Sequence, residues 1–227
     1  GSEKIKSSFT SNYTSANQGL SNNFITNYSS ENWGSITSIS ISKFGDIKMG
    51  ENREHGFKSW GLTPLYSENS RYSYYSQPSS NSNENIQKNT GYSQVDLFQK
   101  FLVKIGDTNL LNINIQFSES SDIDRFDQLS ITKGNSLKFS EWYYGPQKRL
   151  LISPSLKIFP MRKFMKKGVI NFGFQKINES RIKRKFNSFN RSHQIENLKV
   201  FSLNGDFDTS FNNDHSISYG IESTYNY

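Results

Sequence analysis

Cysteine is absent from the 227 residues. That excludes a disulfide framework, a thiolate zinc site and a thiol nucleophile. Histidine is scarce too: His55, His193 and His215 lie far apart, and no G-x-S-x-G nucleophile elbow occurs. Enzymatic activity is therefore not expected. Apolar residues make up 33% of the chain and mean hydropathy is -0.72. No run approaches the roughly 20 apolar residues of a transmembrane helix, and no secretory leader is visible. The abrupt "GSEKIK" start fits an internal piece of a longer protein.

Aromatic residues are abundant, with 18 Phe and 12 Tyr, alongside much Ser and Asn. Disordered chains are poor in aromatics, and this mixture suits β-strands joined by polar turns. The net charge of +7 fits an anionic partner, either nucleic acid or anionic lipid and lipopolysaccharide, and equally a solvated charged face. Part of the basic charge clusters in Lys157–Lys167 and in "RIKRKFNSFNR", Arg181–Arg191.

The dominant hydrophobic period is two. In "LNINIQFS", Leu111, Ile113, Ile115 and Phe117 alternate with Asn112, Asn114, Gln116 and Ser118. "TSISISK" and "HSISYGIESTYNY" repeat the pattern. Nine strands are predicted, over 4–15, 20–29, 33–45, 91–105, 109–119, 147–159, 167–179, 196–210 and 214–226. Several are long enough for a tilted bilayer crossing, about 9–11 residues.

Long and short connections alternate. The 46–90, 120–146 and 180–195 segments read as loops. "GDTN" (106–109), the link near "FPMRKFMKK" and "FNND" (211–214) read as short turns. That asymmetry, with Ser, Asn, Thr and Gln on the polar face, is expected of an outer-membrane barrel with a wet interior. The alternatives are a soluble antiparallel sandwich and a complete small barrel of eight or ten strands with a structural or adhesion role. A count of nine leaves an open edge, which lipid does not tolerate, so the chain is expected to belong to a larger barrel unless the count is eight or ten.

Several segments together resemble one family. They are "ENWGSITSISISKFGDIKMGENREHG" (31–56), "NTGYSQVDLFQKF" (89–101), "INIQFSESSDIDRFDQL" (113–129), "EWYYGPQKRLLIS" (141–153), "FQKINESRIKRKF" (174–186) and "ENLKVFSLNGDFD" (196–208). In order and approximate spacing they are similar to the first part of the barrel of TonB-dependent outer-membrane receptors, those of Bacteroidota above all. "SDIDRFDQL" followed by "EWYYGPQKR" is the most specific element. The resemblance implies an all-β fold, an antiparallel transmembrane β-barrel segment of about nine strands from a 22-stranded type. On that reading residues 1–227 are a partial barrel domain without the family's plug or TonB box. It also implies TonB-dependent uptake of a scarce nutrient at the bacterial outer membrane: siderophore-iron, haem, cobalamin or a glycan. The partners implied are outer-membrane lipid and lipopolysaccharide, the rest of the barrel and its plug, the TonB complex through the missing N-terminal part, and the small nutrient ligand. No cofactor, metal or nucleic acid is expected.

Aromatics with nearby cations grip ligands by stacking and charge. Trp60, Arg71, Tyr74, Tyr75, Arg125, Trp142, Tyr143 and Tyr144 are therefore the substrate-contact candidates, with an aromatic lid or interfacial girdle as the alternative role. For Trp142, Tyr143 and Tyr144 the membrane-interface position is favoured. Lys148, Arg149, Arg181, Lys183, Arg184 and Lys185 are candidates for lipid-phosphate contact. Asp122, Asp124 and Asp127 in "DIDRFDQLS" lack the glycine and terminal glutamate of a calcium loop. Local turn bonds and a salt bridge with Arg125 are expected there instead.

Overall fold

The structure is a computed structural model that describes residues 3–160, 165–212 and 215–227. The chain is all-β, built on one antiparallel sheet. Its long strands are β1 (Lys4–Thr14), β2 (Gly19–Ser29), β3 (Trp33–Phe44), β4 (Tyr92–Ile105) and β5 (Asn109–Ser120), then β6 (Phe139–Tyr144), β7 (Lys148–Ile158), β8 (Lys167–Lys185), β9 (Ser192–Asn212) and β10 (His215–Asn226). A single helical turn, α1 (Phe126–Leu129), lies between β5 and β6. The sheet order is β1-β2-β3-β4-β5-β7-β8-β9-β10. Among the described residues β1 pairs only with β2, and β10 only with β9. The sheet therefore stays open and does not close into a barrel.

The nine strands of the sequence reading are all present with nearly the predicted ends. Two differences matter. The stretch 139–144, expected to lie in a loop, is the strand β6. It continues the line of β7 beside β8: Tyr144 faces Arg181, and Lys148 faces Asn178. The β6–β7 line thus carries one more residue than β8 over this interval, a β-bulge at Gly145–Gln147. A Cβ on Gly145 would run into Ser180 Oγ, so glycine permits the close approach. In addition β8 and β9 extend far past 179 and 196, and the connection between them shrinks to 186–191. Its tip holds Asn187 at φ 57°, a left-handed position that Asn tolerates. Of the expected turn at 211–214, residues 211–212 end β9, and 213–214, like 161–164 of the β7–β8 link, lie outside the described residues.

Pro154 is tolerated in an interior strand by a local gap. The β7–β8 ladder breaks off at Ser153–Pro154, while pairing with β5 continues. Proline has no N–H for a ladder bond.

Register sorts the side chains onto two faces. Phe9, Phe24, Ile39, Leu97, Phe117 and Leu150 are successive ladder partners. Ile115, Ile152, Phe174, Phe201 and Tyr225 form a second such row. This is the apolar face. Leu97 to Ile105 on β4 covers it over about 27 Å at 3.4 Å per residue. A polar seam across β1–β4 interrupts the face, but its members satisfy one another. Ser7 Oγ donates to Thr26 Oγ1 at 2.9 Å, and Gln99 Nε2 to Ser35 Oγ at 2.9 Å. The other face is polar: Asn23 Nδ2 donates to Ser40 Oγ at 2.6 Å, Ser118 Oγ to Asp96 at 2.6 Å, and Asn171 Nδ2 to Asn204 Oδ1 at 3.1 Å.

The sheet is one layer thick. Long strands have their close backbone contacts with their ladder neighbours. The accessible surface is 15216 Å², against about 10,600 Å² expected for a compact protein of 26.2 kDa. Phe9, Phe24, Ile41, Leu97, Phe172, Leu203, Tyr219, Ile221 and Tyr225 on the apolar face are all exposed. The buried apolar side chains, Leu129, Leu137, Phe139 and Ile182, belong instead to the end where the long connections gather. The 45–91, 121–138 and 186–191 connections all lie at that loop end.

Candidate functional site

Among the described residues the buried apolar side chains gather at the loop end, and β6 is its spine. The 45–91 connection is folded rather than loose. Ile47–Lys48 pairs with Ile86–Gln87, and Leu65–Tyr66 with Ser79–Ser80. The buried Asn81 amide donates to Thr63 O at 2.8 Å and Ile86 O at 2.9 Å. Ser67 Oγ then donates to Ser140 O, which docks this connection onto β6.

Next to Ser140 sits Glu141, whose side chain is 0% exposed. Two arginines enclose it. Arg191 Nη2 donates to Glu141 Oε1 at 2.8 Å and to Tyr143 Oη at 2.7 Å. Arg184 Nε lies 3.0 Å from Glu141 Oε2, an ion pair without good hydrogen-bond alignment. The Arg184 guanidinium also stacks 4.8 Å from the Tyr74 ring, which packs on Phe189.

On one side of this knot opens a cavity of about 660 Å³. Arg71 and Tyr72 of the 45–91 connection form one wall. Asp122, Asp124, Tyr143, Arg191 and His193 form the other, and the Gly145-Pro146 bulge borders it. Asp124 is the ladder partner of Tyr143. Burial pushes the Asp124 carboxyl up to about 7, reinforced by Asp122, Asp46 and Glu141. Burial also raises the Asp122 carboxyl, and the Arg191 charge offsets part of that.

These shifts set a pH dependence. Asp124 holds its proton more tightly folded than unfolded, so its contribution to stability is full below about pH 4. That contribution is lost as pH rises through about 7. The urea midpoint is expected to be higher at pH 5 than at pH 8, and Asp124→Asn should reduce that difference. An unchanged difference in the variant would contradict the assignment.

Opposite the cavity, Trp142 and Tyr144 alternate with cations. Arg125 sits 5.9 Å from the Trp142 ring and 5.5 Å from that of Tyr144. Lys183 lies over Trp142 and Arg181 over Tyr144. Arg125 is clamped by two 2.7 Å bonds to Asp127 and donates to Tyr144 Oη at 2.7 Å. Hydrogen bonds from Arg125 and Gln128 hold the Asp127 carboxyl well below its usual range. The expected local salt bridge is thus formed.

The structure divides the sequence-derived candidates. Arg71 and Tyr143 meet at the cavity, and Tyr74 covers Arg184. Arg125, Trp142 and Tyr144 share the opposite face of β6. Trp60 is 64% exposed and packs by His55, away from both groups. Tyr75 is exposed, its N–H bonded to Asn69. Of the lipid-phosphate candidates, Arg184 is a correction: its side chain is 10% exposed and committed to Glu141. Lys148 and Arg149 point to opposite faces, toward Glu119 at 2.6 Å and Gln175 at 3.0 Å. Sequence reading missed the roles of Glu141, Arg191 and His193. Glu141 is separated from Arg191 by 50 residues, and only its place beside the aromatic triplet singles it out.

Fold and site together define an all-β protein: a single-layer antiparallel sheet with an uncovered apolar face and a packed, cavity-bearing loop end. Compared with models of known protein families, with curated proteins and with solved structures, the chain matches none of them.

Proposed function

We propose that the chain is a transmembrane barrel segment of an outer-membrane receptor of the TonB-dependent type, acting in uptake of a scarce nutrient. The supporting observation is the exposed apolar face, about 27 Å along the strands and so about 20 Å tall at the usual 35–45° tilt, on a sheet whose other face is hydrogen-bonded and polar. A bacterial outer-membrane barrel needs an apolar belt about 25 Å tall, a polar lumen and long connections at one end only. An aqueous sheet of this area would leave large apolar patches in water, at a cost of roughly 25 cal/mol per Å². The open β1 and β10 edges are the places where the remaining barrel strands pair, since lipid admits no unpaired backbone. The cavity between Arg71, Tyr72 and Tyr143 is the nutrient-contact region of this reading, with polar and aromatic groups converging on one space.

The expected behaviour is a folded, monodisperse chain in detergent or lipid and self-association in plain buffer. Sedimentation velocity with circular dichroism reads both. A folded monomer in buffer with no detergent would rule out the membrane reading.

A further inference from the structure

A second recess, about 390 Å³, lies on the other side of the Glu141 knot, at the root of the β8–β9 tip. Its lining is basic: Lys138, Lys183, Arg184 and Lys185, with Ser188, Asn190 and Ser192 supplying hydroxyl and amide groups. Among the described residues no carboxylate lines it. Glu141, the carboxylate paired with Arg184, is sealed behind it and shared by two arginines. Among the described residues Lys138, Lys183 and Lys185 have no ion-pair partner.

Two of these ammonium groups are seated rather than free. Lys138 Nζ lies 5.0 Å from the Phe139 ring and Lys183 Nζ 5.5 Å from the Trp142 ring. Lys183 and Lys185 occupy alternate positions of one strand, so they share a face about 7 Å apart. Ser192 is the ladder partner of Lys183 and brings its hydroxyl to the same side.

We propose that this recess binds a small polyanion carrying at least two phosphate or carboxylate groups. Like-charged ammonium groups held together without a counterion repel one another, and a multivalent anion relieves that repulsion while accepting the Ser and Asn hydrogen bonds. The source is a diffusible ligand rather than a lipid headgroup. Lys183 and Lys185 stand five and seven residues past Asn178, the partner of Lys148 at the upper border of the apolar band. That is about 17–24 Å along the strand, beyond the headgroup layer. The choice of source rests on the membrane reading of the sheet; the anion site itself does not.

The test is titration calorimetry of tripolyphosphate into the 227-residue chain in non-ionic detergent at low salt. Circular dichroism scores the fold of every variant. Binding is expected, weakened at least tenfold by Lys183→Gln with Lys185→Gln and further by Lys138→Gln. The Lys183→Arg, Lys185→Arg pair should retain it. All three lysines are exposed and none takes part in the Glu141 ion pairs, so the variants are expected to fold. Absence of binding to folded chain, or equal binding by the triple glutamine variant, would overturn the proposal. Binding of single-stranded DNA without binding of tripolyphosphate would overturn it in favour of nucleic acid. Lysine-dependent capture of lipopolysaccharide nanodiscs, with no binding of the free anion, would overturn the diffusible source. If the chain proves to fold without detergent, the same titration in buffer still decides the anion site while the membrane reading fails.

Discussion

Ile113→Arg in the lipid-embedded chain is expected to cost about 2–4 kcal/mol, whereas Gln116→Arg should cost well under half of that. The two residues sit three apart on β5 and point to opposite faces. Ile113 is paired with Phe101 and Pro154 in the middle row of the apolar band. At that depth a guanidinium loses its hydration and has no partner on the lipid side. Gln116 lies between Phe98 and Leu151 on the face that carries the Ser, Asn and Asp hydrogen bonds. An arginine there reaches water in a wet lumen. In a water-exposed sheet both substitutions would be mild, because neither side chain would leave solvent. Denaturant titration of the liposome-embedded variants distinguishes the two cases, and equal effects at the two positions would count against a lipid-facing band.

Glu141→Leu is expected to destabilise the chain by about 3–5 kcal/mol, the usual consequence of removing one member of a buried ion cluster. The loss would come from Arg184 and Arg191, which would keep their burial and lose the carboxylate they share. Arg184 is 10% exposed and Arg191 17%, so neither side chain regains full hydration where it stands. Arg191 would retain Tyr143 Oη, and Arg184 its stacking on Tyr74, which is why the cost stays within that range. Replacing Glu141, Arg184 and Arg191 together by leucine should recover much of the stability, since buried ion clusters are often matched by apolar packing. The equilibrium unfolding midpoint measures this. A triple variant as unstable as the single would show that the knot contributes more than charge balance.

The legible and illegible parts of this sequence divide along the apolar face. Wherever a strand crosses it, alternate Ile, Leu, Phe and Tyr mark the period, as in "LNINIQFS", and the predicted ends fall within a residue or two of the observed ones. Past its border that signal stops. Arg181 to Arg184 pair in step with Tyr144, Tyr143, Trp142 and Glu141, and Lys185 with Phe139 after a register shift, yet "RIKRK" is charged on one side and mixed on the other. No apolar layer lies there to impose alternation, so a strand extension reads as a loop. The strand β6 was hidden for a second reason. It is six residues long, with a register shift between Phe139 and Glu141 and a bulge after Tyr144, and each resets the alternation.

The site was legible in kind but not in arrangement. Arg125 of "SDIDRFDQL" does converge with Trp142 and Tyr144 of "EWYYGPQKR". Their sorting onto two sides of β6 depends on register, which flips with every bulge. Arg184 and Lys183 are neighbours in the sequence, but one is buried against Glu141 and the other is stacked outside on Trp142. A charge run gives no hint of which member is enclosed.

The chain's lack of cysteine makes the central claim directly measurable, because a single introduced cysteine at any position carries a spin label without background. Labels placed one at a time from Leu110 to Ser118 in liposomes should show oxygen accessibility, which reports lipid, oscillating with a period of two. Maxima are expected at Leu111, Ile113, Ile115 and Phe117. Accessibility to a water-soluble nickel complex should peak at the residues between. Uniformly high nickel accessibility along β5, or an oscillation of the opposite phase, would contradict a lipid-facing apolar band.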